Sequence, residues 1–194
     1  GLGDVYKRQV QEYVEAQVLR RLSQSGASSL DELSLSPLPL QVEEMLEPGG
    51  TEELDESAIL RWAGTLVEPH HLVRNVRRAS LMDGGAEEIH SKLAEMWSKR
   101  VGSRARRIET HHRLESGTDV DPEWVAKSIN EIVIDDSAAA AVVLQQAIST
   151  NPEEGLYELA ADIALERGES KIASEYIESM EDGPRRDLRM ARLA

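Results

Sequence analysis

DPEWVAKSINEIVIDDSAAAAVVLQQAISTNP, residues 121–152, decides how this chain is read, because residues 155–184, GLYELAADIALERGESKIASEYIESMEDGP, repeat its pattern. In the first stretch the pattern is Trp124, Ser128, Ala140, Leu144, Ala147 and Pro152; in the second it is Tyr157, Ala161, Ala173, Ile177, Met180 and Pro184. The shift from Trp124 to Tyr157 is 33 residues. A period of this size is the mark of stacked helix pairs. The local signals agree. Asp121 suits an N-cap and Pro122 the first helical position, Asp135-Asp136-Ser137 makes a turn into an alanine-rich helix, and Gly168 and Gly183-Pro184 close later helices. The spacing predicts helices over 122–134, 138–149, 153–167 and 185–193, with Ile172, Ala173, Tyr176, Ile177 and Met180 as an apolar stripe between the last two.

This pattern resembles the tetratricopeptide repeat over about residues 121–184. That family places a large residue fourth in the unit and small residues eighth and twentieth, followed by a bulky residue, an alanine and a proline. Trp124 through Pro152 fill those places in one frame. The second unit is one residue shorter, has Met180 where the family has alanine, and brings Pro184 one residue early. Small residues matter at these places because two helices cross closely there and a bulky side chain would wedge them apart. The resemblance implies a concave face built by the first helix of each pair, where such proteins hold a peptide or a partner helix. On that basis the candidate partner-binding residues are Trp124, Lys127, Ser128, Tyr157, Ala161 and Asp162. The basic helix from Arg185 would be the terminal cap. One period earlier, Ala94 falls at a small place but Arg106 falls at another; a unit from Glu53 would use Ala63, Val76 and Ala79.

Residues 1–120 are read from capping and periodicity. The opening GLGDVYKRQ, residues 1–9, resembles a translated sequencing-adaptor fragment and is set aside as non-native, with the natural N-terminus before Val10 taken as missing or replaced. Residues 10–50 are expected to hold one helix over Val10–Leu22, a break over Gln24–Ala27, short helices over Leu30–Leu35 (capped by Ser29 with Glu32) and Leu40–Glu47, and an otherwise irregular Pro/Gly/Ser-rich region. Residues 51–117 are expected to be helical hairpins and residues 118–194 the repeats. In the first of these, Leu54, Ala58, Ile59, Trp62, Ala63 and Leu66 suggest one apolar helical stripe, with Pro69 opening the next helix and Asp83-Gly84-Gly85 closing it. No strand is expected. The fold class is therefore all-α: antiparallel helical hairpins, with a tetratricopeptide-like α-solenoid at the C-terminal end and a helical N-terminal region.

Composition narrows the chemistry. Cysteine and phenylalanine are absent, so thiolate metal sites, disulfides and cysteine nucleophiles are excluded, and the core must be aliphatic. The formal net charge of −14 disfavours a surface that binds nucleic acid as a whole. No apolar run is long enough to span a bilayer, and the default expectation is a cytoplasmic protein. The charge is blocked: Arg74–Arg113 is basic, whereas Glu115–Asp182 is strongly acidic. Within the basic block, Arg100, Arg104, Arg106, Arg107 and Arg113 could form a phosphate-contacting stripe, which needs charge density rather than a motif. Of five histidines, His70-His71 point too far apart on a helix to share a metal. Glu87-x-x-His90 and Glu109-x-x-His112 echo the ligand spacing of di-iron bundles, but a turn at Gly102 would not bring them level. No phosphate loop, dinucleotide fingerprint or nucleophile elbow occurs.

These observations favour an interaction module that binds a basic protein or peptide through a helical-repeat groove. The alternatives are a small helical metal-dependent enzyme or subunit using His90 and nearby carboxylates, and a nucleic-acid accessory protein using residues 99–113. No cofactor, catalytic residue or metal ligand is expected, and the sequence sets no oligomeric state.

Overall fold

The computed structural model describes residues 9, 12–82 and 84–193; the expectations for the adaptor-like opening, Val10 and Asp83 lie otherwise outside the described residues. The chain forms two compact units, Gly1–Leu93 and Ala94–Ala194. No helix among the described residues is long and apolar enough to cross a membrane.

The first unit is not all-helical, which corrects the expected fold class. Residues 12–17 are helical and a 3-10 turn follows at Leu19–Arg21. Helix α1 (Gln24–Leu35) then starts at Ser23, whose side chain accepts the Gly26 N–H at 3.0 Å. The expected break over Gln24–Ala27 is therefore helix, and Ser29 is no cap. Gly50 must be glycine where its backbone meets the first turn of α1, since a Cβ there would overlap the Cα and N of Gly26, and a Cβ at Gly26 would meet the Glu53 carboxylate. Ser29 and Glu32 reach across instead. Ser29 Oγ accepts from Gly50 N at 2.9 Å and donates to the Glu47 carbonyl. The buried Glu32 carboxylate accepts from Leu46 N and Glu47 N, both at 2.8 Å. Two residues that read as a local capping box thus clamp a loop from the far side.

After Pro37 and Pro39 comes strand β1 (Leu40–Gln41) and a 3-10 turn at Val42–Glu44, in place of the expected helix over Leu40–Glu47. Helix α2 (Thr51–Glu56) is short; Ala58 at φ 54 ends it. The apolar residues that suggested a continuing helix fall on strands β2 (Leu60–Ala63) and β3 (Leu66–Pro69). The sheet is antiparallel in the order β1-β3-β2, with Trp62 opposite Val67 and Ala63 opposite Leu66. Gly64, at φ 63, opens the two-residue hairpin turn, a position that favours glycine. Ala63 is exposed at the hairpin, so no repeat unit starts near Glu53. Short apolar runs fit helix and strand periods alike, and here the turn residue, not the spacing, was the informative one. Pro69 closes β3 rather than opening a helix. Helix α3 (His71–Met82) packs on α1, with Val76 buried. Arg74 donates to the carbonyls of Ser34 (3.3 Å) and Ser36 at the end of α1, and Arg77 pairs with Asp31. Burial, with Arg78 nearby, pulls the Arg74 guanidinium below its ordinary pKa, while Glu68 opposes. Helix α4 (Ala86–Ser98) contains the boundary between the units.

The second unit is helical throughout its described length and follows the sequence reading closely. Helix α5 (Ser103–Glu115) begins after Gly102, at φ 101. Then come α6 (Pro122–Val133), α7 (Ser137–Thr150), α8 (Glu154–Glu166), α9 (Ser170–Glu178) and α10 (Pro184–Leu193). Asp121 caps α6 and Asp136 caps α7 through side-chain acceptance of Glu123 N and Ala139 N. Consecutive helices pack as neighbours: α6 on α7, α7 on α8, α8 on α9, with α5 covering α6 and α7 at one end and α10 lying on α8 and α9 at the other. The pattern residues Ser128, Ala140, Leu144, Ala147, Ala161, Ala173, Ile177 and Met180 are all buried. Ala140, Ala161 and Ala173 have no exposed surface. The core is aliphatic, from Val125, Ile129, Ile132, Val143, Leu144, Leu156 and Ile163.

Candidate functional site

Helices α6 and α8 are the first members of the two pairs and carry all six residues singled out for partner binding. The structure divides those residues into two groups. On α6, Trp124 is turned into the unit: its ring lies under the guanidinium groups of Arg113, at 4.6 Å, and Arg106, at 5.7 Å. Both arginines come from α5 and also hold the buried Glu109 carboxylate, Arg106 Nη1 donating at 2.6 Å and Arg113 Nε at 2.9 Å. Arg106 Nε continues to Glu131 at 2.9 Å. Trp124 therefore fastens α5 to α6. Ser128 is buried and donates to the Trp124 carbonyl at 2.9 Å, which satisfies its hydroxyl within the helix. Only Lys127 faces out from this helix among the three.

On α8 the picture is different. Ala161 forms a small cluster with Ile177 and Met180, and Tyr157, Tyr176 and Leu193 pack against it. Beside this apolar floor runs an acidic edge. Asp162 Oδ2 accepts from Arg189 Nη2 at 2.6 Å and Oδ1 from Arg192 Nη1 at 2.8 Å. One turn earlier, Glu158 accepts from Arg185 Nη1 at 2.8 Å and pairs with Arg189 at 3.3 Å. All three arginines belong to α10. Bonding to Glu158 raises the pKa of Arg185 further above its ordinary value. The sequence reading picked out Asp162 and treated α10 as a cap, but it missed Glu158. The available signal was a pair of matching stripes, acids at Glu158 and Asp162 and arginines at 185, 189 and 192, each on one face of its own helix.

The arginine stripe is largely committed within the unit. Besides Arg106 and Arg113, Arg107 pairs with Asp136 at 3.7 Å and Arg100 stacks over Trp97 at 4.3 Å; Arg104 is half-buried. The Glu-x-x-His readings fare similarly. Glu109 spends both carboxylate oxygens on arginines, Glu87 is exposed on α4, and His70 and His71 are exposed. His90, His111 and His112 are buried, with His111 Nδ1 3.2 Å from Gln146 Oε1.

Two concavities were not legible in the sequence. One, of about 550 Å³, lies where the α5–α6 loop meets the ends of α7 and α8, floored by Leu114, Val125 and Leu156 and edged by Asp119 and Glu153. The other, of about 250 Å³, separates α7 from α9, with Ala160, Ile163 and Ala164 of α8 as floor and Val142, Ile172 and Tyr176 at its sides. Burial raises the Tyr176 pKa, with Glu175 and Glu169 adding to the effect. Comparison with protein families, with curated proteins and with solved structures gives no match.

Proposed function

We propose that the second unit is a docking module of tetratricopeptide-like build that takes a basic peptide or helix along α8. The slim residues Ser128, Ala140, Ala161 and Ala173, all buried between packed helices, support the repeat reading. Two pairs alone bury little core, and here α5 packs on α6 and α7 and extends it. The observation that carries the docking reading is the α8 face itself. Glu158 and Asp162 stand a turn apart beside an apolar floor, and they are engaged by arginines on a helix. Apolar contact would supply affinity, and the acids would select a cationic partner and speed its approach. Trp124 and Ser128 act in this reading as scaffold. The pairing of Arg106, Arg107 and Arg113 with carboxylates favours it over a nucleic-acid role.

The test is fluorescence anisotropy of the full chain with a panel of short helical peptides, basic, neutral and acidic. Basic peptides should bind selectively, and Asp162→Arg should weaken them at least tenfold. Glu178→Arg, an exposed acid on α9, should leave binding unchanged. Equal losses from the two reversals would count against a defined site.

A further inference from the structure

Helix α10 has the composition of a ligand rather than of a core element. None of its residues is buried. Leu188 is 63% exposed and Met190 is exposed beside it; Leu193 is the residue it packs against the Ala161–Ile177–Met180 floor. What holds it is charge. Arg185, Arg189 and Arg192 recur at i, i+4 and i+7, on one helix face, and meet Glu158 and Asp162. The fit is incomplete, since Arg189 Nε is enclosed without a hydrogen-bond partner. The outer pairs, through Arg185 and Arg192, are open to water on the arginine side and are screened by salt, whereas Arg189 is enclosed against Glu158. By contrast, the helices beneath α10 nest on fully buried Ala161, Ala173 and Ile177.

Resting on the docking reading above, we propose that α10 is a built-in occupant of the α8 face and spells out the partner. The partner is an amphipathic helix with the spacing Arg-x-x-x-Arg-x-x-Arg followed at once by an apolar residue, as in Arg185, Arg189, Arg192 and Leu193. Its arginines take Glu158 and Asp162, and its apolar residue takes the floor between Ala161 and Met180. Binding requires α10 to leave, so the affinity of the site for such a helix is reduced by the fraction of time α10 occupies it. Because the retaining contacts are ionic and the outer two, at Arg185 and Arg192, are exposed, raised salt loosens α10 and weakens the incoming helix together. Leu188 and Met190 lie outside the contact and set no part of the specificity.

The probe is a fluorescein-labelled peptide of this chain's own residues 183–193, added in trans to the full-length protein. Three proteins are compared at low salt: wild type, a release variant Arg185→Ala/Arg189→Ala/Arg192→Ala, and the release variant carrying Asp162→Arg. Circular dichroism checks that each retains its helix content. The release variant should bind the peptide at least tenfold tighter than wild type, and Asp162→Arg should abolish the gain. Hydrogen exchange of residues 184–193 in wild type should quicken when the peptide is added. Should the triple variant not fold, Arg189→Gln alone, on the residue bridging both acids, should show the same change in smaller measure. Equal affinity of wild type and release variant for the peptide overturns the occupant assignment. A release variant that ignores its own helix yet binds other basic peptides also overturns it and leaves the docking reading standing. Failure of every basic peptide to bind, with α10 shown by exchange to be open, overturns both.

Discussion

The two units use opposite means to bring segments together. In the first, polar side chains reach across long stretches of sequence: Glu32 clamps the loop at Leu46–Glu47, Ser29 holds Gly50, and Arg74 ties α3 to the end of α1. In the second, contacts between neighbouring helices are made by missing bulk. Ala140, Ala161 and Ala173 let helices approach, and the polar contacts, from Glu109 to Asp162, lie around that nested core. The difference teaches where each unit is fragile. A buried acceptor that serves two backbone donors cannot be replaced by packing, whereas a nested core tolerates the loss of a charge but not the gain of a side chain.

That contrast can be broken by substitution. The largest effect is expected from Glu32→Ala, which removes the buried acceptor of the Leu46 and Glu47 N–H groups and should cost about 4 kcal/mol. Urea denaturation would show it, and hydrogen exchange should place the loss in residues 24–50. A cost below about 1 kcal/mol would mean that water replaces the carboxylate and that the clamp is dispensable. Next comes Ala140→Leu, which forces a side chain into a fully buried crossing and should cost about 3 kcal/mol, whereas Ala138→Leu, exposed on the same helix, should be near neutral. Similar losses at both positions would undo the argument from slim residues.

Two smaller effects sharpen the comparison. Glu109→Gln removes the buried charge between Arg106 and Arg113 but keeps its volume; since both arginines can recover water, the expected cost is about 2 kcal/mol. Thermal unfolding that leaves this variant indistinguishable from wild type would show that the network orients Trp124 without stabilising it. The smallest effect is a pH dependence in the first unit. The Glu53 carboxylate accepts from Ser23 Oγ and Ser23 N, and these bonds hold its pKa below the ordinary 4.5. Its contribution is therefore present above the ordinary value and is lost as pH falls through the lower, folded one. Amides in the first turn of α1 should lose exchange protection only as pH falls below the ordinary glutamate value, and Glu53→Gln should remove that pH dependence.

Legibility followed the same division. Helices α5 to α10 could be placed to within a few residues because their signals are local: a cap at Asp121 or Asp136, a glycine at 102 or 168, and an apolar period within each segment. The strands were missed because Leu60–Ala63 and Leu66–Pro69 carry few residues each and their apolar positions also fit a helix. Ser29 and Glu32 were misread for a related reason: the same residue pair that caps a helix locally can equally bond a distant backbone. At the candidate site, Asp162 could be named from its place in the repeat, but its engagement by Arg189 and Arg192 could not.

By itself, the sequence determined the helical second unit, the burial of the small residues Ser128, Ala140, Ala161 and Ala173, the aliphatic core and the segregation of charge. These depend on side-chain size, period and formal charge, which each residue carries wherever it sits. Only the tertiary structure decided that Trp124 is scaffold, that Glu32 serves a loop, that a small sheet stands in the first unit, and that α10 lies along the acidic edge of α8. Those outcomes depend on which of several equally good local partners ends up within bonding distance, and that distance is set by the packing of segments remote in the chain.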